Sequence, residues 1–430
     1  MNDAAARRYP PTWYAATLER AVHYPAVAGR IEVETCVIGA GLAGLTTALE
    51  LARAGRSVAL IEAESIAWGA SGRNGGFVSP GFALGISGIT KRVGAERMRS
   101  LHALSREGHE YVRREVQRLA PSAMMGEGWL VALRHPDASG LAEDQQVLQR
   151  ELATPTELWP RGRVRSVLKS ERYFAGLYHP EAFHIHPLQY AVALAGEAVR
   201  LGARVHEGTR VARIEGDRPA YRVVCPKGEV IARHVALCTS AFDRHLLPRM
   251  GRGLLPVATY VAVTEPLGKG VEAAIATPAA ISDTRRAGDY YRVVGDGRVL
   301  WGGRITTRRS EPAHLKEIMR GDMVSVYPQL ASARIDYAWG GLMGYALHKM
   351  PLVGRAGDGL WMAAGFGGHG LNTTAMAGCL IARAIAAGDD AYRQLEAFPP
   401  QWVGGPLGQA GVQLSYWGMQ ARDRWEERRR

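Results

Sequence analysis

The 430-residue sequence predicts an α/β protein, in which a parallel-sheet domain carries an inserted α+β domain built on an antiparallel sheet. Residues 33–62 read as strand, glycine turn, helix and strand, the unit that builds parallel sheets. The same alternation returns at residues 184–240, after a long stretch that lacks it. Strands dominate residues 256–344, where Asp296-Gly297 indicates a hairpin turn. A chain of this length exceeds the size at which one core keeps growing, so two domains are expected.

Residues 33–62 have the features of a dinucleotide-binding unit. Gly39 permits the tight turn after the first strand, Gly41 lets a pyrophosphate approach the backbone, and Gly44 lets the helix pack close to the sheet. The helix start offers unpaired N–H groups to the phosphates. Glu62, at the end of the second strand, can accept hydrogen bonds from both ribose hydroxyls. A glycine pattern alone is weak evidence, but the two strands, the helix and the acid together predict a dinucleotide site.

Two further glycine-rich loops follow. Residues 69–76 come soon after Glu62, and their Ser, Arg and Asn side chains can donate to phosphate or ribityl oxygens. Residues 365–370 follow a buried strand and precede a helix over 371–386, whose N-terminus favours negative charge. This last loop also matches GxGxxG, but no strand and acid follow it, so we do not predict a second dinucleotide site there.

The formal net charge of +12 permits attraction to anionic substrates, membrane surfaces or nucleic acid. The arginines are dispersed, and the only dense run is the C-terminal segment 422–430. We therefore expect a solvated surface, no nucleic-acid partner, and membrane contact that is at most peripheral.

The four cysteines, Cys36, Cys225, Cys238 and Cys379, form no CxxC pair and no metal-ligand spacing, which favours free thiols in a reducing compartment. The N-terminus lacks an apolar signal core. We expect a cytoplasmic protein. His184 and His186 have no Cys, Asp or Glu to complete a metal site, and Pro187 after them indicates a helix start, so no metal is predicted.

The three glycine loops predict FAD as the cofactor. If the returning strands join one sheet, all three loops lie at the carboxyl ends of its strands, where ligands bind in open α/β folds. A flavin needs a pyrophosphate site and a distant anchor for its ring, which suits FAD better than NAD. The chain also lacks the second fingerprint and the redox dithiol of disulfide reductases.

The motifs resemble those of the D-amino-acid oxidase (DAO) superfamily of FAD enzymes, and within it the gamma-glutamylputrescine oxidase-like amine oxidases. The resemblance rests first on CVIGAGLAGLTTALELARAGRSVALIEA followed by WGASGRNGG. It continues in the same order through HIHPLQYAVALA, TEPL, YYRVVGDGRVLWGGR, MPLVGR and GFGGHGLNTTAMAG. These motifs are specific for the superfamily and much less so for a substrate.

The resemblance implies a Rossmann-type FAD-binding domain, with Val211 near adenine and the 365–371 loop near the flavin pyrimidine. The residues that it and the motifs predict to contact FAD are Gly39, Ala40, Gly41, Leu42, Ala43, Gly44, Glu62, Ala63, Ala70, Ser71, Gly72, Arg73, Asn74, Gly75, Gly76, Val211, Thr239, Ser240, Gly365, Phe366, Gly367, Gly368, His369, Gly370 and Leu371.

The reaction that the resemblance implies removes a hydride from the carbon next to an amine nitrogen. Flavin accepts the hydride, the resulting imine is hydrolysed, and O2 or another acceptor reoxidises the flavin. This chemistry needs a neutral amine held over the ring more than a strong base, so the lack of a catalytic triad is no objection.

One departure from the family bears on the substrate. Members that act on α-amino acids carry an arginine for the carboxylate just before the PxxG segment, and Met343 aligns with it here. This favours an amine or an ω-modified amine. Tyr291, Arg292 and Trp301 lie on strands expected to face the substrate, although ordinary sheet packing explains each of them equally well. The alternatives are a D-amino-acid, glycine or sarcosine-type oxidase, and a quinone-linked FAD dehydrogenase.

The predicted domain organisation is discontinuous. Residues 1–30 form an N-terminal arm and residues 396–430 a C-terminal helical tail. Residues 31–82, 163–255 and 346–395 form the FAD-binding domain, and residues 83–162 and 256–345 form the substrate or cap domain.

Overall fold

The computed structural model describes residues 9–217, 219–242 and 245–428. Residues 1–8 of the predicted arm and residues 429–430 of the predicted tail lie outside the described residues. The chain folds around two sheets, whose strands are numbered in chain order. The strands are β1 (Gly29–Ile38), β2 (Val58–Ile61), β3 (Phe77–Val78), β4 (Met124–Leu133), β5 (Glu157–Pro160), β6 (Ala175–Ile185), β7 (Arg204–His206), β8 (Arg213–Asp217), β9 (Ala220–Cys225), β10 (Gly228–Leu237), β11 (Leu255–Thr264), β12 (Ala280–Asp283), β13 (Tyr290–Val294), β14 (Arg298–Thr306), β15 (Ile335–Tyr345), β16 (Leu352–Gly357) and β17 (Leu360–Ala364).

Eleven α-helices connect and cover these strands in the part of the chain that is described. They are α1 (Trp13–Ala16), α2 (Leu42–Arg53), α3 (Ile86–Val93), α4 (Ala95–Leu119), α5 (Ser139–Leu152), α6 (Arg161–Val167), α7 (Pro187–Arg200), α8 (Pro248–Arg252), α9 (Leu315–Val326), α10 (Gly370–Ala387) and α11 (Gly405–Arg428). The helix starts at Pro187 and after Gly41 agree with the sequence prediction.

The first sheet has the order β16-β17-β10-β1-β2-β7. In this order the pairs β17–β10, β10–β1, β1–β2 and β2–β7 are parallel. Three of its strands, β1, β10 and β17, therefore end at the same edge. Apolar side chains of α2, α4, α7 and α10 pack on one face of this sheet, where they form the largest core of the molecule. The β8–β9 hairpin continues from β10 and helps to cover the other face.

The second sheet has the order β15-β11-β14-β13-β12-β4-β6-β3. It is antiparallel except for the β4–β12 pair, which is parallel. These two strands come from separate stretches of the chain with no hairpin between them, so nothing forces them to run in opposite directions. Helix α9 packs on one face of this sheet, around Met319 and Met323.

The segment 163–255, predicted as part of the FAD-binding domain, also supplies β6 to the second sheet, where β6 pairs with β4. Likewise β3, at the end of segment 31–82, pairs with β6. The chain therefore passes between the two sheets more often than the predicted domain boundaries imply. Those boundaries remain a prediction.

Within the described residues, one helix is long and apolar enough to cross a membrane by composition. This helix is α10, and 67% of it is buried inside the protein. Its apolar residues pack against α2 and α4, as those of a core helix do. The four cysteines are free, and Cys36, Cys225 and Cys238 are buried.

Candidate active site

A cavity of about 540 Å³ lies between the two sheets, at the carboxyl ends of β1, β10 and β17. The structure brings the three predicted glycine loops together on its walls, although the third, 365–370, lies nearly 300 residues after the other two in the sequence. The predicted residues that line it are Gly39, Gly41, Leu42, Ala43, Glu62, Ala63, Ala70, Ser71, Arg73, Asn74, Gly75, Gly76, Val211, Thr239, Ser240, Met343, Phe366, Gly367, Gly368, His369, Gly370 and Leu371.

Four predicted residues stand behind this lining: Ala40, Gly44, Gly72 and Gly365. A Cβ at Gly44 would collide with the carbonyl oxygen of Gly39. A Cβ at Gly72 would lie too close to the carbonyl oxygen of Ala67. Gly365 has φ +75°, which favours glycine. These residues shape the loops from behind the cavity lining.

The first glycine turn depends on its lack of side chains. Gly39 has φ +101°, and a Cβ there would lie 2.8 Å from the carbonyl oxygen of Cys238. Gly41, at the start of α2, provides no side-chain cap, so it leaves room for an anion at the helix end. The backbone N–H of Leu42 donates to Ser71 Oγ at 3.0 Å, which ties this turn to the second glycine loop.

Glu62 is held at the end of β2 by two backbone donors. Ala40 N–H donates to Glu62 Oε2 at 2.7 Å, and Glu64 N–H donates to Oε1 at 2.9 Å. Burial raises the pKa of the Glu62 carboxyl, and these hydrogen bonds oppose that shift. The carboxylate is thereby oriented with lone pairs left over for further donors in the cavity.

The second glycine loop is held rigid by its own side chains. Asn74 Nδ2 donates to the carbonyl oxygens of Ala70 and Ser71, and Asn74 Oδ1 accepts from Gly76 N–H at 2.8 Å. Arg73 lies over the Trp68 ring and donates to Trp68 O at 2.8 Å. A loop ordered before binding loses less entropy when a ligand binds.

The third loop aims the N-terminus of α10 into the cavity. His369 precedes the helix and gives it no side-chain cap. His369 Nε2 lies 3.2 Å from both Ser79 Oγ and Pro80 O. Since Pro80 O can only accept, Nε2 carries a proton. Burial lowers the pKa of His369, so the ring is neutral at pH 7.

These features fit an elongated dinucleotide with a polar middle. The cavity runs from a carboxylate at Glu62, past a helix N-terminus without a side-chain cap, to a second helix N-terminus at residues 369–371. Thr239 Oγ1, on the wall between them, is buried and has no hydrogen-bond partner among the described residues. A buried hydroxyl without a partner is costly, and a ligand in the cavity would satisfy it.

Side chains of the second sheet form the other half of the cavity, which we call the substrate half. It is lined by Phe77, Ser79, Trp129, Thr259, Ser282, Tyr290, Ile305, Met343 and Tyr345, with backbone from Gly288, Gly303, Gly341 and Leu342. None of these described residues carries a formal charge. Arg73 lies nearby; its guanidinium lies over the Trp68 ring and donates to Trp68 O and Gly340 O.

Three residues predicted to face the substrate do not line the cavity. The Tyr291 hydroxyl bonds to those of Tyr173 and Tyr327 at 2.7 and 2.8 Å, and its ring stacks on Trp301. Tyr291 and Trp301 belong to the core beneath α9.

Arg292 is also buried, behind the second glycine loop. It donates to His184 Nδ1, Tyr14 Oη and Ile185 O at 2.7–2.9 Å. These contacts correct the substrate-facing assignment of all three residues, because strand packing and the N-terminal arm occupy their side chains.

Tyr290, the residue that sequence reasoning missed, lines the cavity in place of Tyr291. Its ring fills the space beside Gly75 and Gly302, where no Cβ would fit. Side chains alternate across a strand, so the face assigned to Tyr291 fixes that of Tyr290. The sequence YYRVV predicts that Tyr290 and Tyr291 lie on opposite faces of the strand. It does not show which of the two faces the cavity.

His184 and His186 are used structurally. His184 bonds to Arg292 and to Pro278 O, and His186 Nδ1 accepts from Gln189 N–H at the start of α7. Among the described residues, no group of three or more His, Cys, Asp or Glu residues is placed to hold a metal.

Comparison with known proteins agrees with this geometry. The model of the DAO family, described as FAD dependent oxidoreductase, matches residues 34–384. Gamma-glutamylputrescine oxidoreductase of Escherichia coli is 32% identical over 90% of this chain and 92% of its own. A probable oxidoreductase, OrdL, of Haemophilus influenzae is 30% identical over 95% of both chains. The solved structure of glycine oxidase from Bacillus cereus superposes with a TM-score of 0.71 at 20% identity, over 85% of this chain and 98% of its own.

The fold and the cavity define an FAD-dependent oxidoreductase with a Rossmann-type domain. The family match covers most of the chain, and two relatives of at least 30% identity span nearly its whole length. The chain belongs to the DAO family.

Proposed function

We propose that this protein oxidises the C–N bond of an amine that carries no carboxylate on the reacting carbon, such as a gamma-glutamylputrescine-like amine or another primary or secondary amine. The observation that carries the proposal is the uncharged substrate half. Met343 lies in it, where the family resemblance implies an arginine for the carboxylate in members that act on α-amino acids. An α-carboxylate buried there would find no cation among the residues of the substrate half, which is costly. A relative that acts, by its name, on gamma-glutamylputrescine is consistent with this choice.

We further propose how the three glycine loops hold FAD. Glu62 and Val211 bind the adenosine end, and the 39–44 turn with the α2 N-terminus binds the pyrophosphate. Residues 69–76 and Thr239 contact the ribityl chain, and residues 366–371 contact the flavin ring. When bound, FAD supplies the hydride acceptor. The N-terminus of α10 would stabilise negative charge on that ring by about 0.3–2 kcal/mol.

The residues of the substrate half hold the amine and keep water away. Trp129, Tyr290 and Tyr345 offer aromatic faces that pack against an alkyl chain. The neutral His369 ring, with its proton on Nε2, leaves Nδ1 as an acceptor. Chemistry then proceeds from the uncharged amine, because no carboxylate lines this half to hold an ammonium form.

Anaerobic reduction of the FAD-loaded enzyme tests the proposal. Loss of flavin absorbance is followed after mixing with gamma-glutamylputrescine, putrescine, sarcosine, glycine or D-alanine. We expect amines without an α-carboxylate to reduce the flavin at least tenfold more efficiently than glycine or D-alanine. Equal or faster reduction by the α-amino acids would contradict it, and would favour the amino-acid oxidase alternative.

The Met343→Arg variant sharpens the test, with Met343→Leu as its size-matched control. The arginine adds a buried cation to the substrate half, so amine reduction should fall about tenfold or more. Reduction by glycine or sarcosine should fall less or rise. The leucine variant should change both by less than about threefold, because Leu and Met are similar in volume.

A separate experiment identifies the electron acceptor that reoxidises the flavin. Hydrogen peroxide release during aerobic turnover would identify O2 as the acceptor. Turnover that needs a soluble quinone and releases no peroxide would identify the quinone-linked alternative.

A further inference from the structure

The C-terminal helix α11 has one face fixed to the second sheet. Val412 and Tyr416 pack in a cluster with Ile305 and Tyr345, both of which line the cavity. Gln413 Oε1 accepts from Thr306 Oγ1 at 2.8 Å. Helix α11 therefore lies directly outside the substrate half of the cavity.

Acidic residues fix the far end of the same face. Asp423 accepts from Arg286 Nη1 at 2.9 Å, and Glu427 accepts from Arg134 Nη2 at 2.5 Å. Glu426 accepts from Arg286 and also from Arg422 of α11 itself. The acids of α11 for which the structure gives contacts therefore pair with Arg134, just after β4, with Arg286, between β12 and β13, and with Arg422.

The opposite face of α11 is exposed and apolar. Leu407, Leu414 and Trp417 are 83%, 62% and 52% exposed, and Trp402, just before the helix, is 71% exposed. Positions 407, 414, 417, 421 and 425 fall on one side of a helix with 3.6 residues per turn. We call this exposed side the outer stripe. Monomeric proteins rarely leave such continuous apolar surface in water.

Arginines border the outer stripe. Arg422 and Arg424 are exposed and flank it by helical geometry. Arg422 Nε donates to Glu426 Oε1 at 3.0 Å, one turn further along the helix, and no residue from 405 to 422 is acidic. Tryptophan and leucine on one side with arginines beside them is the composition of helices that lie in a membrane interface. The net charge of +12 adds attraction to an anionic surface.

We propose that the outer stripe of α11 docks on an anionic lipid bilayer, an inference that goes beyond the oxidation proposed above. A second copy of the chain fits less well. In a two-fold interface each stripe would face its own copy. Such a pairing would bury the stripe but would leave the net charge of +12 on each chain unneutralised, whereas an anionic surface attracts that charge. Docking would turn the substrate half of the cavity toward the membrane.

Flotation of the FAD-loaded, full-length enzyme tests the proposal, with vesicles of phosphatidylcholine alone or mixed with phosphatidylglycerol. We expect binding to the mixed vesicles and at least tenfold weaker binding to pure phosphatidylcholine. The Leu414→Gln/Trp417→Gln variant should lose mixed-vesicle binding by tenfold or more, and Arg422→Gln/Arg424→Gln by about fivefold per arginine. Flavin absorbance and circular dichroism establish that each variant is folded.

Two matched control variants test whether vesicle binding depends on the outer stripe rather than on exposed apolar or charged side chains elsewhere. Val199→Gln removes a 40% exposed apolar side chain on α7. Lys227→Gln/Lys269→Gln removes two exposed charges elsewhere. Both should bind the mixed vesicles within about twofold of the native enzyme. Trp417→Phe keeps an aromatic residue at the stripe and should retain most of the binding.

Two results would overturn the proposal. One is a native enzyme that does not float with mixed vesicles, or a stripe variant that floats as well as it does. The other is concentration-dependent dimerisation in sedimentation velocity that the stripe variant abolishes while vesicles remain unbound, which would assign the stripe to a second copy. Amine turnover without vesicles is unaffected by either, so it tests the oxidation proposal independently.

Discussion

One half of the cavity is formed mainly by backbone, and the other half mainly by side chains. The dinucleotide half is made of backbone: turns at Gly39–Gly44 and 69–76, and two helix N-termini without side-chain caps. The substrate half is made of side chains from the second sheet, among them Tyr290, Met343 and Tyr345. A backbone site tolerates almost no added atoms, whereas a side-chain site can change its ligand by substitution. On the proposed function, the first half would fix the cofactor and the second would select the substrate.

Gly44→Ala should give the largest effect, because it adds an atom where the backbone leaves none. The new Cβ would collide with the carbonyl oxygen of Gly39, where α2 packs on β1. We expect FAD affinity to fall at least 100-fold, or the free energy of unfolding to fall by about 3 kcal/mol or more. Flavin fluorescence titration and chemical unfolding measure the two.

Gly196→Ala is the matched control for that change, since Gly196 also lies within a helix, α7, and a Cβ there meets nothing within 4 Å. It should leave FAD affinity unchanged and stabilise the protein by up to about 1 kcal/mol. Similar behaviour of the two variants would mean that the tight approach at Gly44 does not control cofactor binding.

Arg292→Met tests whether Arg292 belongs to the protein core or to the substrate half of the cavity. The change leaves His184 Nδ1 and Tyr14 Oη without their guanidinium partner, in a fully buried place. The free energy of unfolding should fall by about 2 kcal/mol, while kcat/KM of the folded enzyme stays within about threefold. Arg172→Met, at an exposed arginine, should change stability by less than about 0.5 kcal/mol. A tenfold rise in KM with unchanged stability would restore Arg292 to the substrate site.

What the sequence could predict follows the same division. Gly39, Gly41, Gly44 and Glu62 meet demands of backbone geometry and ribose chemistry, so their spacing, together with the flanking strands and helix, predicted a glycine turn that the structure places on the cavity wall. In the second half, Tyr290 and Tyr291 are neighbours of the same type, and only the fold decides which of them faces the cavity. Burial of Trp301 and Arg292 likewise depends on long-range pairing that no local pattern encodes.

The segment Ala175–Ile185 makes the same point for the fold. It forms β6, which pairs with β4, β5 and β3. Its sequence, AGLYHPEAFHI, contains a proline and mixes polar with aromatic residues, so local propensity did not predict a strand. Tertiary pairing overrode that propensity. By contrast, the periodic apolar patterns of α7 and α10 were sufficient to predict both helices.

Exchanging Tyr290 and Tyr291 for phenylalanine should give opposite outcomes. Tyr291→Phe removes the hydroxyl shared with Tyr173 and Tyr327, so unfolding free energy should fall by about 1–1.5 kcal/mol with kcat/KM unchanged. Tyr290→Phe should reduce kcat/KM about tenfold with a smaller loss of stability, because Tyr290 lines the cavity and its hydroxyl has one side-chain partner among the described residues, Thr259, which also lines the cavity. Thermal unfolding and amine kinetics on both variants compare the two. The reverse pattern would contradict the assignment of the two strand faces.

The smallest effect concerns pH, where we expect the amine rather than His369 to set the pH dependence between pH 7 and 8. Burial lowers the pKa of His369 below its ordinary value of 6.5, so the neutral ring predominates in this range. Only the amine then titrates, and log kcat/KM should rise with a slope of about 1 below the amine pKa. His369→Gln should keep that slope even if its absolute rate changes. A slope near 2 in the native enzyme that falls to 1 in the variant would show that His369 ionises in this range, and that the substrate half is less well shielded from water than its contacts imply.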